Sequence, residues 1–156
     1  MYQAFGHHFD FIAIPIIKKR LRMDTSQVII NEERPQLTKH LATRFKEKIG
    51  QNVNLLGEVV LGNEEADHRY HHYLDALESP DINYISVKIS GIYAQTHALN
   101  YEESFPELVS RMSALYQKAI DFPYTDEDGI KRSKFINLDM EEYKDAHFTL
   151  RLFKAV

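Results

Sequence analysis

Three short apolar runs constrain this chain more than any other feature: VNLLGE at 53–58, YISVKI at 84–89 and FINLD at 135–139. None carries the 3.6-residue apolar period of a helix, and each has the length of a strand. The segments between them do carry that period. Strands that alternate with amphipathic helices form parallel βαβ units, because a parallel connection must cross the sheet and a helix makes the crossing. With helices on both sides of such a sheet, its strands are expected to be apolar on both faces. The predicted fold class is α/β.

The helical segments are bounded by ordinary signals. In PQLTKHLATRFKEKIG at 35–50, Pro35 suits the first turn, Leu37, Leu41, Phe45 and Ile49 recur on one face, and Gly50 is placed to end the helix. A second helix is expected to be capped by Asn63, with Glu64 and Glu65 at its positive end. Tyr70, Tyr73, Leu74 and Leu77 form its apolar face, and it stops before Ser79 and Pro80. A third spans about 101–121, with Phe105, Leu108, Met112, Leu115, Tyr116 and Ala119 at helical spacing. PYTDEDGIKRSK at 123–134, with its Asp128-Gly129 turn signal, reads as a surface loop, and FTLRLFKAV begins a fourth helix.

Composition removes several function classes. A chain of 156 residues with 44% apolar and 12% aromatic residues can bury one core and is not disordered. Its net charge of −4 gives no global attraction to nucleic acid or anionic membrane, and KKRLR at 18–22 reads as a solvated helix face rather than a phosphate site. The lack of cysteine excludes disulfides, thiolate zinc sites and thiol catalysis, and is compatible with a reducing cytoplasm. FIAIPII at 11–17 is too short to span a bilayer, contains Pro15 and lacks the basic flank of a signal peptide, so the chain reads as soluble and untargeted. His68 and His72 lie one helical turn apart, but no third ligand stands at metal-binding spacing; they read as an exposed polar helix face.

The strand ends carry the functional signal. The three runs finish at or near Glu58, Lys88 and Asp139, and parallel sheets and barrels gather their chemistry at the carboxyl ends of strands. Each residue has a plain structural alternative. Asp139 with Glu142 could cap the next helix, Glu58 could lie on a solvated turn, and Lys88 could snorkel out of the sheet. All three at strand ends together point to a shared polar site.

At these residues the chain resembles a known family. NVNLLGEVVLG, YISVKISGIYAQ and KFINLDMEEYKDAHFTL resemble three successive strand segments of the proline dehydrogenase domain, in the form found in bacterial proline utilization A. IIKKRLRMDTSQVI resembles the helical segment that precedes that barrel. The resemblance implies a (β/α)8 TIM-type barrel carrying FAD. Its reaction removes a hydride equivalent from L-proline to give Δ1-pyrroline-5-carboxylate, and electrons pass to a membrane quinone. Residues 1–50 would be the preceding helical segment and 51–156 the first three βα units. By motif, Lys88 is implied to hold the substrate carboxylate, Asp139 to line the substrate pocket next to the flavin, and Glu58 to form an ion-pair gate with a late arginine. Asn54 stands where relatives can carry an acidic residue and is given no role.

The departures set further expectations. A whole barrel of this type needs roughly 250 residues, and the family's Y-x-x-R-R-x-x-E helix is absent. The chain therefore resembles the amino-terminal part of the domain, stopping before the fourth strand. The isolated chain is expected not to retain FAD, not to oxidise proline, and to self-associate through exposed strand edges. The complete protein is expected in the cytoplasm, peripheral to the inner membrane. Two readings of other classes stand beside this one: a barrel with a Schiff-base lysine of the aldolase type, and a noncatalytic association fragment.

Overall fold

The computed structural model of the chain describes residues 6–26, 29–30, 34–55, 60, 62–94, 101–140 and 143–156. It divides into two compact units, 1–43 and 44–156. In the first, helix α1 spans Gly6–Thr25 with Pro15 inside it. The basic side chains of Lys18, Lys19, Arg20 and Arg22 are all exposed on α1, as the solvated-face reading expects. Among the described residues no helix is long and apolar enough to cross a membrane.

Helix α2, Arg34–Lys46, ends earlier than Gly50. Lys48 takes the left-handed turn instead, at φ 60°. The Lys48 amide donates to the Phe45 carbonyl at 3.0 Å and the Ile49 amide to the Arg44 carbonyl at 3.0 Å. That pair of bonds is the Schellman closure, which satisfies carbonyls at the helix end with a non-glycine residue in the strained position. The sequence points to Gly50 as terminator because glycine adopts this conformation at no steric cost, yet here Lys48 takes it.

The second unit is built on a parallel sheet in the order β1-β2-β5, with β1 at Val53–Asn54, β2 at Tyr84–Lys88 and β5 at Phe135–Asp139. The βαβ inference holds, with helix α3 (Asn63–Glu78) between β1 and β2 and helix α5 (Tyr101–Asp121) between β2 and β5. A short helix α4, Ile89–Ile92, follows β2 directly. Beyond β5, a 3-10 turn at Tyr143–Asp145 leads into helix α6, Ala146–Ala155. The strand expected over 53–58 is two residues long where it is described, and its end at Glu58 lies outside the described residues.

Two boundary expectations need correction. Asn63 is the first residue of α3, whose cap is Gly62 without a side-chain hydrogen bond; Glu64 and Glu65 do occupy the first turn. The 123–134 segment is not only loop. It forms a hairpin of β3 (Tyr124–Thr125) and β4 (Lys131–Arg132), turned at Gly129 with φ 77°. Asp126 organises the turn by accepting the amides of Asp128 at 3.0 Å and Ile130 at 2.8 Å. A turn dominated by Asp and Gly hides such a hairpin, because its strands are too short and polar to show a period.

The core lies between one sheet face and the helices. Ile85, Val87 and Ile136 are buried there with Tyr73 and Leu77 of α3, Leu108, Met112, Leu115 and Ala119 of α5, and Phe148 and Leu152 of α6. Burying each large aliphatic side chain contributes about 1.5–3 kcal/mol. The expectation of strands apolar on both faces does not hold. Alternation puts Tyr84, Ser86 and Lys88 of β2, with Phe135, Asn137 and Asp139 of β5, on the other face. Of these only Ser86 is buried.

Candidate active site

Lys88 is the last residue of β2 and Asp139 the last of β5, and the two are partners in the parallel register. Paired residues on parallel strands project to the same side, from backbones about 4.8 Å apart. An ammonium and a carboxylate therefore share the carboxyl end of one partly open sheet face. Asp139 belongs to the strand itself, well before Asp145, which occupies the cap position of α6. Glu142, the partner of Asp139 in the capping alternative, lies outside the described residues.

One layer towards the amino end, a polar row crosses the same face. Asn54 of β1, Ser86 of β2 and Asn137 of β5 are register partners in turn. Ser86 is 2% exposed, and its hydroxyl oxygen accepts from the Asn52 amide at 2.7 Å and the Asn137 amide at 3.3 Å. Below this row Tyr84 and Phe135 meet edge to face, with ring centroids 4.8 Å apart. The face thus grades from aromatic at the amino end, through neutral polar groups, to a charged pair at the carboxyl end. Asn52, Ser86 and Asn137 were not anticipated from sequence. The signal was present in the S-x-K of β2 and the N-x-D of β5, where polar residues recur with period two.

The amino end of β5 contrasts with this. Lys134, just before the strand, is 6% exposed, and its ammonium donates to the Ser79 carbonyl beyond the end of α3. Burial pushes the lysine below its ordinary value, against the opposing charge of Asp81. A lysine sealed against a backbone carbonyl at the foot of the sheet ties α3 to β5 and offers nothing to a ligand. On α3, the rings of His68 and His72 lie 4.3 Å apart, and among the described residues no group of three or more possible donors forms a metal site.

The family profile described as proline dehydrogenase matches residues 37–156. The chain belongs to the proline dehydrogenase family. Among solved structures, the chain is similar to proline utilization A from Corynebacterium freiburgense, with 32% identity and a TM-score of 0.73 over 99% of this chain and 16% of that one. It is also similar in fold to proline utilization A from Bdellovibrio bacteriovorus inactivated by N-propargylglycine, with 24% identity and a TM-score of 0.74 over 91% of this chain and 16% of that one. The chain thus spans about a sixth of the length of these proteins. A search of the curated proteins gives no match. Two of the three strand motifs on which the resemblance rests lie on β2 and β5, where Lys88 and Asp139 are register partners.

Proposed function

We propose that this chain supplies the first three βα units of a (β/α)8 proline dehydrogenase barrel that oxidises L-proline to Δ1-pyrroline-5-carboxylate. The observation that carries the reading is the register pairing of Lys88 with Asp139 at the carboxyl end of the partly open face. In a closed barrel that face would be the interior, and its carboxyl end the place where substrates bind. Lys88 holds the proline carboxylate, fixing the ring by a charge-assisted contact. Asp139 lines the pocket beside it, balances the ammonium and orients polar groups around the ring nitrogen, which loses its proton as a hydride equivalent leaves the ring. Glu58 gates the site by pairing with an arginine from elsewhere in the barrel.

A flavin fits these residues in part. The open face offers a carboxylate, an ammonium and a row of amide and hydroxyl groups to the polar edge of an isoalloxazine ring, whereas the described part of that face offers no cradle for a pyrophosphate. FAD bound in the complete barrel would accept the hydride equivalent and pass electrons to a membrane quinone. Asp139 would be the residue of this chain that meets it. The enzyme would work in the cytoplasm, peripheral to the membrane.

The test has two arms. The complete protein should reduce a dye acceptor with L-proline and lose that activity on incubation with N-propargylglycine, the inactivator of the Bdellovibrio bacteriovorus protein. The isolated 156-residue chain should purify colourless and leave proline unchanged. A complete protein without proline oxidation, or one in which borohydride traps a carbonyl substrate on Lys88, would overturn the proposal.

A further inference from the structure

The segment that follows Lys88 is buried at Ile89, Gly91 and Ile92 and is also reached by an arginine from another helix. Arg111 of α5 has a side chain only 17% exposed, and its guanidinium reaches three elements. Nη1 donates to the Ile92 carbonyl, at the end of α4, at 2.9 Å. Nη2 meets the Asp67 carboxylate of α3 at 2.6 Å. Nε donates to Glu107 of α5 at 2.8 Å. The guanidinium carbon also stands 5.2 Å from the Tyr70 ring centroid on α3. Asp67 and Glu107 both pair with the cation, and the guanidinium's rigid fork meets a carbonyl and two carboxylates in one fixed geometry.

α4 is only four residues long and begins at the residue after Lys88. A helix this short has little stability of its own, so its position depends on what packs against it. On the α3 side, a Cβ built on Gly91 would lie 3.2 Å from Arg69 Cδ and 3.5 Å from the Tyr73 hydroxyl, so the α4 backbone sits tight against α3 there. On the α5 side the Arg111 hydrogen bond adds a directional hold to the burial of Ile89 and Ile92. Lys88 is thus fixed from behind by the sheet and from ahead by a clamped turn.

From this we infer that Arg111 is a positioning residue for Lys88: it sets where the ammonium stands by pinning α4, without touching the substrate. The inference rests on the proposed role of Lys88 as the carboxylate anchor. In the complete flavin-loaded enzyme, Arg111→Met should weaken binding of a carboxylate-bearing proline analogue by roughly five- to tenfold while flavin content stays stoichiometric, because a misplaced binding group loses much of its contact. Its effect should also depend on Lys88. Added to Lys88→Met, Arg111→Met should cost little more, since a residue acting through Lys88 has nothing left to position. A purely structural role would instead give full additivity.

Arg111→Lys, which keeps the cation for Asp67 and Glu107 but lacks the fork, gives a second reading and decides alone if Arg111→Met does not fold. Glu102→Gln, which breaks the bidentate pair with Arg151 between α5 and α6, is the control expected to bind normally. Normal affinity in a folded Arg111 variant, or additivity with Lys88→Met, overturns the inference. Lys88→Met with unchanged affinity would instead remove the anchor role on which it rests, so the two failures are distinguishable.

Discussion

The two faces of the sheet use the same strands for opposite ends. On one, Ile85, Val87 and Ile136 are sealed under α3 and α5. On the other, one residue along each strand, Lys88, Asn137 and Asp139 keep partial access to solvent. The difference follows from the two-residue period of a strand, and it divides labour cleanly. The covered face supplies stability through apolar area, and the open face holds charge where desolvation is incomplete and therefore affordable. A substitution on the first face should act through folding, and one on the second through chemistry.

The largest effect expected is on the covered face. Leu115, fully buried on α5, should cost about 2–5 kcal/mol of unfolding free energy as Leu115→Ala, through lost contacts and the cavity left behind. Denaturant titration measures this directly, and a loss under about 1 kcal/mol would mean that the helix layer is not the core described. The open face should respond the other way. Asp139→Asn should lower proline turnover by about tenfold or more, equivalent to about 1.4 kcal/mol of barrier, with a stability change under about 1 kcal/mol. Normal turnover would return Asp139 to a structural role.

Ser86 sits between these extremes, being polar and buried on the open face. Ser86→Ala removes the acceptor shared by the Asn52 and Asn137 amides and should destabilise by about 1 kcal/mol, as one weakly replaced hydrogen-bond pair does. A neutral result would show that water replaces the hydroxyl and that the face is more open than described. The smallest effect concerns Lys134, whose ammonium burial pushes below its ordinary value of 10.5. The unfolded chain binds more protons than the folded one in the window just below 10.5, so the contribution of Lys134 to stability rises with pH there. Lys134→Met should flatten that part of the stability profile relative to the parent, and an identical slope in both proteins would contradict the burial.

Much of this arrangement was legible in the residues. The helices at 63–78 and 101–121 carry strong 3.6-residue periods, and their apolar positions Tyr73, Leu77, Leu108, Met112 and Leu115 are the buried ones. The ends of β2 and β5 at Lys88 and Asp139 were equally clear, because a charge closes each apolar run. The polar side of the sheet was not read, since Ser86 and Asn137 are single small residues inside runs that look apolar by composition. Lys48 as a helix terminator and the hairpin around Asp126 were missed for a related reason. Both depend on backbone conformation and local hydrogen bonds, which leave no periodic trace. Arg111 was invisible because what it joins, Asp67, Ile92 and Tyr70, lies on elements brought together only by folding.

The central claim is that Lys88, at the carboxyl end of the open face, anchors the carboxylate of proline. The most direct test compares the affinity of the complete flavin-loaded enzyme for a proline-like acid with its affinity for the corresponding neutral amide, before and after Lys88→Met. A charged hydrogen bond to a carboxylate contributes about 1.5–3 kcal/mol, so the acid-over-amide preference should fall by at least about tenfold in the variant while flavin content is unchanged. An acid-over-amide ratio that is the same in both proteins would contradict the account.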